Sequence, residues 1–253
     1  MTQEDTEQGF LSHLIELRSR IVRAAASVIL VFLALSPFMR DIFDLVSRPM
    51  IAALPPGGTL LATGVITPFL VPLKVTLFTA FCLASPYVLY QAWAFIAPGL
   101  YQHEKRLAMP VIVSSVFMFF LGMAYCYFVV FRVIFRFIAN FAPEHVLVSP
   151  DIDIYWGLVL RFFIAFGLAF EVPIVVMLLV RMGMVSLERL RSLRRYMIVG
   201  AFVIAAVVTP PDAVSQLLLA VPLCLLYELG LVLGRLVRQR PDDEAPAQAA
   251  EPG

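Results

Sequence analysis

Long apolar segments separated by short polar ones dominate the sequence. A helix that crosses the hydrocarbon core of a bilayer, about 30 Å thick, needs about 20 predominantly apolar residues. Six segments are candidates for such helices: residues 21–39, 71–96, 109–131, 154–180, 196–208 and 213–234. The pattern therefore predicts an all-α polytopic membrane protein with six transmembrane helices.

The fifth candidate is too short for an ordinary bilayer. At about 1.5 Å per residue, segment 196–208 would extend only about 20 Å. The helix is either buried among its neighbours, or it borrows flanking residues, or it lies where the bilayer is thinner. We expect helices five and six to be short and to thin the membrane locally.

The segments that flank and connect these candidates, which span residues 21–234, are more polar. Residues 1–20 form an amphipathic segment that lacks the basic and apolar regions of a cleaved signal peptide. The connection 40–70 is long, and Asp212 ends a tight turn where it suits the N-cap of the sixth helix. Residues 235–253 form a tail that we expect to be disordered from about 241, because it is rich in proline, alanine and acids.

Composition and charge placement agree with this topology. Hydrophobic residues make up 61% of the chain and charged residues 15%, against roughly 45–50% and about 25% in soluble domains. Thirteen of the 19 Lys and Arg residues lie at the two ends or in the second and fourth connections. Because short cytoplasmic loops carry an excess of Lys and Arg, both termini are predicted to be cytoplasmic.

The sequence lacks the patterns of an enzyme or a metalloprotein. Cys82, Cys126 and Cys224 lie inside apolar segments, as packing residues do. His103 and Glu104 begin like a zinc-protease HExxH motif, but position 107 is leucine, and P-loop and GxSxG sequences are missing. We predict no enzymatic activity, no cofactor, no metal and no nucleic-acid partner.

Two polar residues lie in apolar segments, where polarity is costly. A charged group at mid-bilayer costs at least about 2.5–3.5 kcal/mol, so Glu171 faces a water-filled cavity, contacts a partner or stays protonated. Pro173 is expected to kink the helix beside it. Gln216 either marks a docking face or joins helices five and six.

Two acids lie on the predicted cytoplasmic side. Glu16 and Arg20 are four residues apart on an amphipathic stretch and can pair on one helix face. Glu104 stands next to Lys105 and Arg106, where local pairing is the simplest interpretation of composition alone.

Four motifs, in order along the chain, resemble those of the TatC family, the receptor of the twin-arginine translocase. They are HLIELRSR at 13–20, SPYVLYQAWAFIAPGL at 85–100 followed by YQHEKR, FEVP at 170–173 and TPPD at 209–212. The resemblance covers residues 13 to about 235. It implies six helices curved like a cupped hand, both termini cytoplasmic, and binding of signal peptides that carry two consecutive arginines.

The resemblance also implies roles for matching residues. Glu16 and Glu104 would meet the arginine pair, since a guanidinium group prefers carboxylates that accept bidentate bonds. Arg18, Phe95 and Leu100 would shape that cytoplasmic site.

Further positions match residues that the family uses in transport. Pro49, in the first outer loop, and Asp212 would be needed for transport, and Glu171 would line the concave face. Gln216 would lie where the single-helix partners TatA and TatB dock.

The expected setting is a bacterial inner membrane, with lipid around the chain, other copies of the chain in a receptor complex, and export of folded proteins driven by the proton-motive force. The alternative is a proton-coupled secondary transporter of a small solute that uses Glu171 as its coupling carboxylate.

Overall fold

The structure is a computed structural model that describes residues 3–51, 60–96, 105–134, 136, 150–209 and 212–237. Within these ranges the regular structure is helical apart from one isolated β-bridge. Five helical stretches are long and apolar enough to cross a membrane: His13–Ser47, Thr67–Ile96, Met109–Ile134, Ile152–Arg181 and Ala213–Leu236. The predicted fifth span is also helical, but at 15 residues it is only about 22 Å long. The all-α prediction and the short fifth helix are confirmed, whereas the sixth, at 25 residues, is long enough to cross a membrane, so the prediction that it is short was wrong.

The first helix is longer than predicted at its beginning. Helix α1 (Gln3–Leu35) runs without a break through the expected boundary between residues 20 and 21. A short 3₁₀ turn at Ser36–Phe38 then leads into helix α2 (Met39–Ile51). The prediction that residues from 40 onward form a connection was wrong for this stretch.

Helix α2 is amphipathic, which explains why the sequence pattern did not reveal it. Phe43 and Val46 pack against the core, whereas Arg40, Asp41 and Asp44 are exposed. The charges interrupt the apolar run, although the apolar residues keep the spacing of a helix face.

The second and third predicted spans are confirmed with small shifts. Helix α3 (Thr67–Ile96) contains Pro72 and Pro86. Helix α4 (Lys105–Tyr125) continues through a π-helical turn, Cys126–Val130. Helix α1 packs along α3, and α4 packs along the helix that follows it.

The fourth span is broken at its centre into helix α5 (Ile152–Ala169) and helix α6 (Val172–Arg181). Pro173 has no N–H, so the carbonyl of Ala169 loses its usual partner one turn later. The chain tightens instead, and the N–H of Glu171 donates to the carbonyl of Leu168 at 3.1 Å. The expected kink is therefore a break that places Glu171 in a turn.

The last three helices pack on one another. Helix α7 (Leu187–Ser192) precedes helix α8 (Arg194–Val208), and helix α9 (Ala213–Val237) packs against both α6 and α8. The Asp212 carboxylate accepts the N–H of Ser215 at 2.7 Å, which confirms the predicted N-cap of α9. The tail beyond 237 lies outside the described residues.

Helix α5 lies at the centre of the bundle and α1 at its edge. Trp156, Val159, Phe162 and Phe166 follow one another at helical spacing and are completely buried. The most apolar window of the first span, in contrast, has no buried residues. Helix α1 is held mainly by its contact with α3.

Gly122 allows α4 to approach α5 closely. A Cβ atom at this position would lie 2.4 Å from the carbonyl oxygen of Phe166, a backbone atom that cannot rotate away.

At the start of α5, hydrogen bonds join the connection before α3 to the connection before α5. Leu61 exchanges backbone hydrogen bonds with Pro150 (3.1 Å) and Ile152 (2.8 Å). The Asp151 carboxylate caps α5, accepting the N–H of Asp153 at 2.8 Å, and also accepts the hydroxyl of Thr63. These bonds fix the segment that follows residue 60 to the start of α5.

The same hydrogen bonds hold Asp151 in its ionised form. The hydroxyl of Thr63, assisted by backbone N–H groups of Ile154, Thr63 and Asp153, lowers the pKa of Asp151 from its ordinary value to about 2. A carboxylate whose pKa is lowered by folding stabilises the fold above its unfolded-state pKa, and this contribution is lost as the pH falls through the folded-state value.

We predict that Gly122→Ala lowers the unfolding temperature in detergent micelles, because overpacking of a close contact typically costs about 1–3 kcal/mol. Gly200→Ala in α8 is the matched control, since a Cβ there meets nothing within 4 Å. The control should be neutral or slightly stabilising. Equal effects of the two substitutions would contradict the role of the close contact.

We also predict that Asp151→Asn lowers the unfolding temperature at pH 7. The difference from the wild type should persist down to about pH 4 and close as the pH falls towards 2, where Asp151 of the wild type becomes protonated. Asp41→Asn is the control, because Asp41 is exposed and accepts no hydrogen bond from the described residues. A difference that does not change with pH would contradict the electrostatic origin.

Candidate functional site

One end of the α1–α3 pair carries an acidic site. The side chain of Glu16 is 42% exposed, and its Oε1 accepts two hydrogen bonds from Arg20, at 2.6 Å from Nη2 and 2.9 Å from Nε. Arg20 also donates to Oε1 of Gln91 on α3 at 3.4 Å. The pairing predicted for Glu16 and Arg20 is confirmed, and it is tied to the second helix.

An aromatic contact lies beside this ion pair. The rings of His13 and Phe95 stack with their centroids 4.4 Å apart and an interplanar angle of 22°. The stack joins α1 to the last turn of α3. His13 and Gln91 were not predicted as site residues, although His13 stands in the first motif and Gln91 interrupts an apolar run.

Next to Arg20 and Gln91, an apolar groove lies between α1 and α3. Its cavity has a volume of about 440 Å³, and it is lined by Leu17, Ala24, Val28, Phe81, Val88 and Phe95, with Arg20 and Gln91 at one end. The size falls in the range of ligand-binding pockets, roughly 300–1,000 Å³.

The arrangement suits a ligand with a cationic head and an apolar body. Only Oε1 of Glu16 accepts hydrogen bonds from the described residues, so Oε2 is available to a second cation. A guanidinium group forms its strongest bonds with such a carboxylate, and the groove offers apolar surface next to it.

The structure places only some of the predicted site residues together. Phe95 lines the groove, Glu16 pairs with Arg20 at its end, and Arg18 is exposed on α1. Leu100 and Glu104 lie outside the described residues. Pro49 lies near the end of α2, and its side chain is not among those described.

Glu171 lies in a buried chain of hydrogen bonds. Trp93 Nε1 donates to Ser115 Oγ at 2.7 Å, and Ser115 Oγ donates to Oε2 of Glu171. The carboxyl group thus joins three helical segments, α3, α4 and the break before α6. Glu171 is only 7% exposed, so it does not line an open surface in this structure, and its partner is the neighbouring helix.

Gln216 has a partner within the chain. Its Nε2 donates to the carbonyl oxygen of Phe202 at 3.3 Å, which joins α9 to α8. Of the two interpretations of Gln216, the structure favours the one in which it holds helices five and six together.

Together, the fold and the site define a polytopic helical membrane protein with an apolar groove between two of its helices and a carboxylate paired with the arginine at one end of that groove. The family model of the Sec-independent protein translocase protein (TatC) matches residues 12–222. The chain is 51% identical over 248 residues to the Sec-independent protein translocase protein TatC of Azotobacter chroococcum mcd 1, covering 98% of this chain and 97% of that protein. It is 50% identical over 235 residues to the TatC protein of Escherichia coli K12, covering 93% and 91%.

Solved structures agree with the sequence relatives. The crystal structure of the twin-arginine translocase receptor TatC superposes with a TM-score of 0.79 at 36% identity, covering 89% of this chain and 99% of that one. The chain therefore belongs to the TatC family. This relationship supports the predicted six-helix architecture and the main functional prediction, and it does not support a small-solute transporter.

We predict that Ser115→Ala destabilises the protein by about 1–3 kcal/mol, because the substitution leaves Trp93 Nε1 and Oε2 of Glu171 buried without their partner. Ser85→Ala is the matched control: Ser85 is also buried, but within the described part of the chain its hydroxyl bonds only to the carbonyl of Cys82 in its own helix, at 2.7 Å. Thermal unfolding in micelles measures both. A similar loss in the two variants would show that the chain of hydrogen bonds contributes nothing specific.

Proposed function

We propose that this chain is the signal-peptide receptor and core subunit of a twin-arginine translocase, which exports folded proteins across a bacterial inner membrane. The observation that carries the proposal is the part-exposed carboxylate of Glu16, which is paired with Arg20 at one end of the apolar α1–α3 groove. Its ligand is the twin-arginine signal peptide.

The chemistry of such a peptide matches the two parts of the site. Its paired arginines require carboxylates that accept forked hydrogen bonds. Its apolar region, about 7–15 residues in secretory signals, requires apolar surface next to them. The groove begins at Arg20 and Gln91 and continues past Val28 and Phe81, so that a peptide bound at Glu16 reaches apolar side chains at once.

Glu104 is the second acid of the proposed site. What supports this choice is that α3 ends at Ile96, next to the Phe95 ring that stacks on His13 of α1, and that α4 begins at Lys105, the residue after Glu104. Arg18, Phe95 and Leu100 complete the site in this proposal, with Phe95 held by its stack on His13.

The remaining roles follow from membership of the family. Both termini lie in the cytoplasm, as the Lys and Arg distribution favours. The partners are the single-helix subunits TatA and TatB and further copies of this chain, with Gln216 near the docking face. Pro49, Asp212 and Glu171 support transport, and the energy comes from the proton-motive force.

We predict that Glu16→Gln and Glu104→Lys each weaken binding of a fluorescent twin-arginine signal peptide to the purified full chain in nanodiscs. The loss of a charge-assisted pair should raise the dissociation constant by at least about tenfold, with Glu104→Lys abolishing measurable binding. Replacing the two arginines of the peptide with glutamines should have the same effect on the wild type.

Two control variants separate binding from structure. Glu188→Gln removes an exposed acid from α7 and should leave binding unchanged. Arg20→Gln breaks the internal ion pair but keeps the Glu16 carboxylate, so binding should persist. Unchanged binding in Glu16→Gln and Glu104→Lys would refute the proposed site.

A further inference from the structure

A second apolar cavity, of about 570 Å³, lies between α5, α8 and α9, away from the α1–α3 groove. Its walls are formed by Ala165, Leu168, Val172, Val208 and Leu223. One charged residue, Arg161, lies among them. A cation in an apolar wall that faces lipid requires a partner or a route to water.

Arg161 has no acidic partner among the described residues. Its side chain is exposed, and its one hydrogen bond to a described residue runs from Nε to the carbonyl oxygen of Gly157 at 2.9 Å. Gly157 lies one turn nearer the start of α5, which is the outer end in the proposed orientation. The guanidinium group is thus turned outward, and its Nη groups remain available to an anion.

The short helix α8 explains how a cation is tolerated at this depth. Arg161 lies nine residues, about 14 Å, from the first residue of α5. It nevertheless lines the same cavity as Val208, the last residue of α8. Helix α8 extends about 22 Å against a hydrocarbon core of about 30 Å. The outer interface must therefore dip where α8 ends, which brings headgroups down to the level of Arg161.

We propose that Arg161 and this cavity form a binding site for a phospholipid of the outer leaflet. The guanidinium group holds the phosphate through forked hydrogen bonds, and an acyl chain fills the cavity towards Val172. The inference goes beyond the proposed receptor function, because neither the signal peptide nor the export step requires this site.

The observations favour a lipid over a helix of a partner protein. The guanidinium group points towards the level of the headgroups, where phosphates are abundant. An acidic residue on a partner helix would itself have to be buried at that depth, at a cost of several kcal/mol.

The test is native mass spectrometry of the purified full chain in detergent, titrated with dioleoyl phosphatidylglycerol. The wild type should retain one phospholipid, and Arg161→Met should bind it at least roughly tenfold more weakly. Ala165→Phe, which fills the cavity but keeps the guanidinium group, should weaken binding as well. Arg40→Met, which removes an exposed arginine from α2, is the matched control and should bind like the wild type.

Further measurements distinguish the other occupants. Millimolar inorganic phosphate should not displace the lipid; if it does, and Ala165→Phe binds like the wild type, the site takes a free anion and the proposal is overturned. Unchanged lipid binding in Arg161→Met also overturns the proposal. If that variant binds lipid like the wild type but no longer binds a single-helix partner subunit, the cavity is a site for the partner and the lipid proposal is overturned. Binding of the twin-arginine peptide should be unaffected by Arg161→Met, so this inference and the receptor proposal fail independently.

Discussion

The structure depends on one constraint: a polar group placed in the membrane is costly unless it finds a hydrogen-bond partner or a route to water. Water is missing from the hydrocarbon core, and each unsatisfied group costs several kcal/mol. Glu171 meets it in part: its Oε2 accepts from Ser115, which accepts from Trp93, whereas its buried Oε1 has no hydrogen-bond partner among the described residues. Gln216 meets it through the carbonyl of Phe202. These bonds are also contacts between helices, so the residues that are costly in lipid are the ones that set how α3, α4, α8 and α9 pack.

The two ends of the bundle are built differently, and the difference suits binding at one of them. At the end where α5 begins, two connections are joined through backbone hydrogen bonds of Leu61, reinforced by the capping carboxylate of Asp151. At the opposite end, the contacts between α1 and α3 among the described residues are made by side chains, in the Arg20–Gln91 bond and the His13–Phe95 stack. Side-chain contacts can be replaced by contacts with a ligand without breaking backbone hydrogen bonds. The α1–α3 groove is therefore the part of the molecule that can adapt to a ligand.

Sequence reasoning located the helices well and their contacts poorly. Apolar length gave the six spans, and Pro173 indicated the interruption beside Glu171. Helix α2 was missed because its charged face hides the apolar one in a one-dimensional pattern. The Trp93–Ser115–Glu171 chain could not be predicted, since it joins residues 22 and 56 positions apart through the packing of separate helices.

The ion pair of Glu16 and Arg20 indicates how affinity and selectivity are divided in the proposed receptor. A signal-peptide arginine that binds Glu16 competes with, or shares the carboxylate with, an arginine already present. The roughly tenfold loss of binding expected for Glu16→Gln corresponds to about 1.4 kcal/mol, so the acid contributes measurably in spite of this competition. Burial of apolar surface contributes roughly 25 cal/mol per Å², so the apolar lining of the groove adds to this contribution. The groove and the acids therefore share the affinity, and the acids select the peptides whose two cations can occupy Glu16 and Glu104 together.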